Sequence, residues 1–360
     1  MEKKKKQILI VDDSALMRRV LCDIISADER FEVADKAVNG LEALQLISTK
    51  PYDAVVLDVN MPKMNGLQLL KELQTRKIAA NVLMASTDTI DGAQVVIDAL
   101  ELGALDFIHK PYNTVELRSQ DFQTRFWRLL DAVSQGQLKT STNTKPVRHA
   151  VTPPKIMEFV TKHAQEFKGK KIVAIASSTG GPKALQQVIP LLPENLRVPV
   201  LIVQHMPVGF TQSFADRLNE LSQVSVKEAA EGDVLEAGHV YLARGGQHMN
   251  VVERGGKTSI HYTDEPTREG VKPCANYMYE SLMKCSFEEI VCVVLTGMGA
   301  DGTKGIAQLK TTKKTHVIAQ EKNTCAVYGM PRSVVDAGLS NQIVAIGQIA
   351  QEIILNVGVK

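Results

Sequence analysis

Short apolar runs of strand length punctuate this chain, and most of them stop abruptly at a polar or charged residue. In the first third they fall at 7–11, 31–38, 53–58, 81–86 and 105–109. Between them apolar residues recur at helical spacing, as in Leu16, Met17, Val20, Leu21 and Ile24, or Leu67, Leu69, Leu70 and Leu73. Strands alternating with helices predict β-α units, hence parallel strands in a doubly wound sheet. From about 134 to 155 the pattern is lost in a polar, proline-containing stretch that reads as a linker. After about 170 the alternation restarts, with runs at 171–177, 198–204, 239–243, 290–296 and 315–320. The expectation is an α/β protein of two doubly wound parallel-sheet domains: one over 1–128, a linker over 129–168, and a second over 169–360.

Composition narrows the class. A chain of 360 residues that is 44% apolar and 23% charged is ordinary globular material, and its length suits two domains. No apolar run approaches the roughly eighteen residues of a membrane span, and the N-terminus has no signal-peptide core, so no membrane insertion is expected. A net charge of +2 gives no argument for nucleic acid, and Lys3 to Lys6 read as a solvated end. Cys22, Cys274, Cys285, Cys292 and Cys325 are odd in number and contain no C-x-x-C pair. Reduced thiols in a cytoplasmic protein are expected, not a disulfide framework or a zinc site.

The first half collects charged groups at predicted strand ends. Ile8-Leu9-Ile10-Val11 ends in Asp12 and Asp13, Ala54-Val55-Val56-Leu57 ends in Asp58, and Lys110 follows Phe107-Ile108-His109. Any one of these alone reads as a loop residue or helix cap. Together, at the ends of parallel strands, they converge on one crevice. Three crowded carboxylates call for a cation, and oxygen ligands suit Mg²⁺. An Asp beside Mg²⁺ and a lysine is a nucleophile for a phosphoryl group, and Ser86 stands where it can hydrogen-bond a phosphate oxygen.

In the second half, Ser178 follows Ile172-Val173-Ala174-Ile175-Ala176-Ser177 and precedes Thr179-Gly180-Gly181-Pro182, a strand-to-helix turn. By itself this turn also fits a glycine-rich phosphate loop. His205 ends the run Val200-Leu201-Ile202-Val203-Gln204, and Asp301 lies just past Val293-Val294-Leu295. Ser, His and Asp at three parallel strand ends can form a nucleophile, base and orienter. A rival reading exists: Gly297-Met298-Gly299-Ala300-Asp301-Gly302 fits the G-x-G-x-x-G dinucleotide fingerprint, with Glu321 near the expected acidic position. That reading leaves Ser178 and His205 without work.

The segment 7–125 resembles the receiver domain of two-component response regulators. The resemblance rests on Val11-Asp12-Asp13-Ser14, Leu57-Asp58-Val59-Asn60-Met61-Pro62, Ser86, Leu102-Gly103-Ala104 and Lys110-Pro111. It implies a flavodoxin-like fold, with Asp58 as phosphoacceptor and a chemotaxis histidine kinase as phosphodonor. It further implies Mg²⁺ held by Asp13, Asp58 and the Asn60 carbonyl with Asp12 close by. Ser86 and Lys110 would read the phosphate, and Phe107, where a Tyr is common, would be the switch residue.

Over essentially the whole length the chain resembles the chemotaxis-type protein-glutamate methylesterases, a receiver fused to a Rossmann-like esterase domain. The motifs are Ala174–Pro182, Gln204-His205-Met206-Pro207, Gly238–Met249, Leu295–Gly302, Ala319-Gln320-Glu321 and Tyr328-Gly329-Met330-Pro331. The resemblance implies Ser178 as nucleophile, His205 as general base, Asp301 as its orienter and the Met298 backbone N–H as oxyanion donor. It implies hydrolysis of glutamate methyl esters on methyl-accepting chemoreceptors, deamidation of some receptor glutamines, and no cofactor for ester hydrolysis. An unphosphorylated receiver would restrict access to the crevice. The chain departs from the family at Ala176-Ser177, where Gly-Ala is commoner, at Cys274-Ala275-Asn276, where Ser-Val-Asp is frequent, and at Arg244, where Pro is frequent. A non-catalytic receptor-binding adaptor and an esterase for another methylated protein remain alternatives.

Overall fold

The computed structural model describes residues 4–86, 93–111, 113–136 and 169–359. The chain divides into two compact units, Met1–Thr142 and Asn143–Lys360.

The first unit is built on strands β1 (Lys6–Val11), β2 (Phe31–Ala37), β3 (Ala54–Asp58), β4 (Val82–Ser86) and β5 (Asp106–His109). All neighbours are parallel and the spatial order is β2-β1-β3-β4-β5, the flavodoxin-like arrangement. β3 and β4 are buried at every position, which is why they read as unbroken apolar runs rather than alternating ones. Side chains at the helix starts accept backbone N–H groups: Ser14 from Met17, Asn39 from Glu42, Asn65 from Gln68 and Ser119 from Phe122. Each such cap contributes about 1 kcal/mol. In the helix Ala15–Ser26 the buried stripe is Val20, Leu21, Ile24 and Ile25. Leu16, expected within that stripe, is 61% exposed.

The last helix of this unit, Gln120–Ser134, runs past the boundary expected at 128. Leu130, Ala132 and Val133 are apolar and buried, so the packed face carries the helix six residues into the stretch assigned to the linker. The rest of that stretch, 137–168, lies outside the described residues.

The second unit is a seven-stranded sheet of β6 (Lys171–Ser177), β7 (Val200–Gln204), β8 (Ser225–Glu228), β9 (His239–Leu242), β12 (Glu289–Val294), β13 (Lys314–Gln320) and β14 (Gln342–Val344). Their order is β14-β13-β12-β6-β7-β9-β8, all parallel. The first strand, β6, sits in the interior. The chain winds outward from it through β7 on one side and later fills β12 to β14 on the other, so β6 borders the topological switch point. An antiparallel hairpin, β10 (His248–Arg254) and β11 (Lys257–Thr263), stands apart from this sheet. It turns at Gly255-Gly256, both with positive φ, as a two-residue hairpin loop requires. Met249, Val251 and Ile260 from the hairpin join the buried core of the sheet. Among the described residues no helix is long and apolar enough to cross a membrane.

Candidate functional site

In the receiver-like unit the strand ends gather the expected groups. Lys110, 3% exposed, donates to Asp12 at 2.8 Å and to Asp58, so two carboxylates share one buried ammonium. The Asn60 N–H donates to Asp58 Oδ2 at 3.1 Å. Ser86 is buried at the end of β4 and Phe107 is buried within β5, whereas Asp13 is exposed beside Asp12. Burial pushes the Asp58 carboxyl up from its ordinary range, against the opposing pull of Lys110. Gly66 has no room for a Cβ against the Asp58 carbonyl, so the loop after Asp58 closes tightly over its own strand end. Among the described residues no three acidic, thiol or imidazole side chains are gathered for a metal ion. What is present is a pair of buried carboxylates, Asp12 and Asp58, at adjoining strand ends, with the exposed Asp13 next in sequence to Asp12. Mg²⁺ commonly takes one or two carboxylates and completes its shell with water and phosphate, and that set fits it.

In the second unit Ser178 and His205 extend adjacent strands. β6 pairs with β7 up to Ser177 and Gln204, and the His205 N–H donates to the Ser177 carbonyl at 3.1 Å. On the other side of β6 the Ser178 N–H donates to the Thr296 carbonyl at 3.0 Å, tying the turn to the loop that carries Asp301. Gly180 takes φ 75° as N-cap of the helix Gly181–Val188, with Pro182 in its first turn. His205 Nε2 lies 2.7 Å from Asp301 Oδ2, and both side chains are buried. The other imidazole nitrogen, Nδ1, is buried without a hydrogen-bond partner among the described residues. The Ser178 hydroxyl is therefore placed at the neighbouring strand end but is not hydrogen-bonded to the imidazole. Such bonds often tighten only when substrate is present.

Asp301 is the best-supported member. It accepts from His205, from the Cys274 thiol at 3.0 Å, and from the Ala275 and Asn276 N–H groups at 2.6 and 3.0 Å. Burial alone would raise its pKa, but His205 and these donors outweigh it and hold the carboxyl at about 2. The Gly297–Gly302 run does follow a strand and precede a helix, Thr303–Leu309, as a dinucleotide loop would. Its Asp301, just before the last glycine, is nevertheless engaged with His205. Met298, half-buried, lies between Gly297 and Gly299, and its N–H makes no hydrogen bond to the described residues.

Other residues that build the site carried little signal in sequence. Ser177 is fully buried and donates to Gln204 Oε1 at 2.7 Å, and Gln204 Nε2 in turn donates to the carbonyls of Ser178 and His205. The hydroxyl that departs from the family's Gly-Ala is thus absorbed into a strut under the nucleophile turn. Asn276 Oδ1 accepts from Gly302 and Gly305, fixing the loop after Asp301. A Cβ at Gly297 would meet Met330 and come within 2.8 Å of the Ser178 Cβ. Arg244 is held by Glu228 at 3.0 Å and lies over the Tyr262 ring.

Comparison with known proteins places both halves of the chain in families. The model for CheB methylesterase matches residues 173–353, a span that contains Ser178, His205 and Asp301. The chain belongs to the CheB methylesterase family. The model for the response regulator receiver domain matches residues 8–120, so the family's catalytic domain is here joined to a receiver. The protein-glutamate methylesterase/protein-glutamine glutaminase of Bacillus subtilis (strain 168) is 39% identical over 352 residues, covering 96% of this chain and 97% of that one. Its counterpart from Pyrococcus abyssi is 38% identical, covering 98% and 93%. The crystal structure of the Thermotoga maritima CheB methylesterase catalytic domain matches with a TM-score of 0.51 and 39% identity, over 53% of this chain and all of that one.

Proposed function

We propose that this chain removes methyl esters from glutamate side chains of methyl-accepting chemoreceptors in the cytoplasm, under control of phosphorylation at Asp58, with Ser178 as nucleophile. Family membership supports the reaction class, and the imidazole supports the residue roles. Nε2 is committed to Asp301, which leaves Nδ1 as the basic nitrogen, and Ser178 stands at the adjoining strand end.

Ser178 Oγ attacks the ester carbonyl carbon while His205 Nδ1 takes the hydroxyl proton. Asp301 holds the ring and stabilises the imidazolium that forms. The Met298 N–H faces the developing oxyanion, a donor whose loss would cost about 10²–10³ in rate. As the tetrahedral intermediate collapses, the C–O bond to the methoxy group breaks and His205 returns the proton to give methanol. Water then attacks the acyl-enzyme by the same acid-base steps, releasing glutamate and restoring Ser178. A glutamine amide enters the same sequence with ammonia as the leaving group, which accounts for deamidation.

In the receiver, Asp58 accepts a phosphoryl group from a chemotaxis histidine kinase. Mg²⁺ would be held by Asp13, Asp58 and the Asn60 carbonyl with Asp12 close by, and it neutralises phosphoryl charge when bound. Lys110 and Ser86 supply a cation and a hydroxyl to the phosphate oxygens. Phe107 repacks as Ser86 is drawn toward them.

The test of the catalytic reading is methanol release from membranes bearing a methylated chemoreceptor. The native chain is expected to release it, and Ser178→Ala to lose at least about 10⁴-fold in rate. A Ser178→Ala enzyme that keeps the native rate removes Ser178 from the mechanism.

A further inference from the structure

Behind the His205–Asp301 pair lies a thiol that the reaction scheme leaves unused. Cys274 is fully buried, and its Sγ donates to Asp301 Oδ1 at 3.0 Å. With this bond the carboxylate is surrounded on both oxygens. Oδ2 receives His205 and the Ala275 N–H, while Oδ1 receives Cys274 and the Asn276 N–H. Two of those four donors are backbone groups and His205 is the base itself. Cys274 is the one side chain whose identity decides how firmly the far oxygen is held.

Cys274 is in turn placed by His248. The Cys274 N–H donates to His248 Nδ1 at 3.2 Å, and His248 Nε2 lies 3.3 Å from the Pro266 carbonyl. An imidazole that accepts at one nitrogen and donates at the other is a neutral ring with a fixed tautomer. Desolvation pulls the His248 pKa down, which keeps it in that form. Burial pushes the Cys274 thiol far above its ordinary value, so it remains a protonated donor.

We infer that Cys274 is a positioning residue for catalysis, its thiol hydrogen bond fixing the Asp301 carboxylate against His205, with His248 holding Cys274 in place. The inference rests on the Ser178–His205–Asp301 reading above. A carboxylate that loses a donor on Oδ1 keeps less of its charge on that oxygen and turns more freely. It then attracts the imidazolium more strongly through Oδ2 but aligns the ring less well. The titratable side chains facing Asp301 are His205, Cys274 and Tyr279, and Tyr279 is held neutral by complete burial.

The test uses the full chain with Mg²⁺, a small phosphodonor and membranes bearing a methylated chemoreceptor. Cys274→Ala and Cys274→Val are expected to lower kcat about tenfold, the effect of one hydrogen bond to a charged group, with KM unchanged. The acid limb of the kcat/KM profile moves to higher pH in both. Cys274→Ser, which restores a donor, recovers most of the rate and the native profile. Valine and serine fill the site, so the comparison does not depend on the alanine variant folding well. Native kcat and an unshifted profile in the valine variant overturn the inference, as does a serine variant no better than valine. Ser178→Ala run alongside separates the two claims: if it stays active, the underlying site reading fails, whatever Cys274 does.

Discussion

Asp301 holds its charge where burial works against it: the residue is 2% exposed, yet its carboxyl is held at about 2, below the ordinary 3.8. A carboxylate depressed in the folded state contributes stability above its unfolded pKa and loses it as pH falls through the folded value. For Asp301 that window lies between about pH 4 and pH 2, and the contribution is on the order of 2 kcal/mol. Urea midpoints of the native chain and of Asp301→Asn should therefore differ at neutral pH and converge as pH drops through this window. A constant difference down to pH 2 would mean that the carboxylate is not held by its donors. At this scale the sequence named the ionisable groups but not what supports them. Ser177 was visible only as a departure from the family beside Ser178, and nothing in a one-dimensional pattern pairs it with Gln204, 27 residues away on the neighbouring strand. The change to Cys274 was visible as a departure from the family. Its contact with Asp301 was not, because a thiol in text carries no direction.

The element that presents Ser178 is a strand, a tight turn and a helix, packed with no slack. Gly181 has no room for a side chain: a Cβ there would run into Gln204 Oε1 and approach the Ser177 Cβ to 2.9 Å. Gly181→Ala should displace the Ser177–Gln204 strut and destabilise the domain by about 1–3 kcal/mol. Methanol release by the surviving folded fraction should fall as well, since the same turn carries Ser178. A folded Gly181→Ala chain with native stability and rate would show that the turn tolerates movement. Ten of the parallel strands were legible as short strand-like runs, most plainly β3, β4, β7 and β12, because strands covered on both faces leave few positions for polar side chains. Those missed were of another kind. Ser225–Glu228 and Gln342–Val344 are short edge strands with mixed burial. The hairpin at 248–263 was hidden by half-polar strands, although Gly255-Gly256 between them was a usable turn signal.

At the scale of the whole molecule, two parallel sheets each place charge at their carboxyl edges, one suited to a phosphoryl group and the other to an acyl group. The fold order and the motif positions sufficed to read that division, since ligand crevices of doubly wound sheets lie at strand ends. The domain boundary was less legible, because Leu130, Ala132 and Val133 continue an amphipathic helix into text that already looks polar. For the phosphorylation control proposed above, moving a two-state equilibrium from 1:99 to 99:1 would take about 5.5 kcal/mol, so one phosphoryl group is expected to shift it in part. Phosphoryl control of a Ser178-dependent esterase is tested most directly by the initial rate of methanol release from methylated receptor membranes, with and without a small phosphodonor and Mg²⁺. The native chain, Asp58→Asn and Ser178→Ala are compared. The prediction is a phosphodonor-stimulated rate for the native chain, an unstimulated basal rate for Asp58→Asn, and no release by Ser178→Ala under either condition. Equal native rates with and without phosphodonor, or methanol from the Ser178→Ala chain at the native rate, would contradict it.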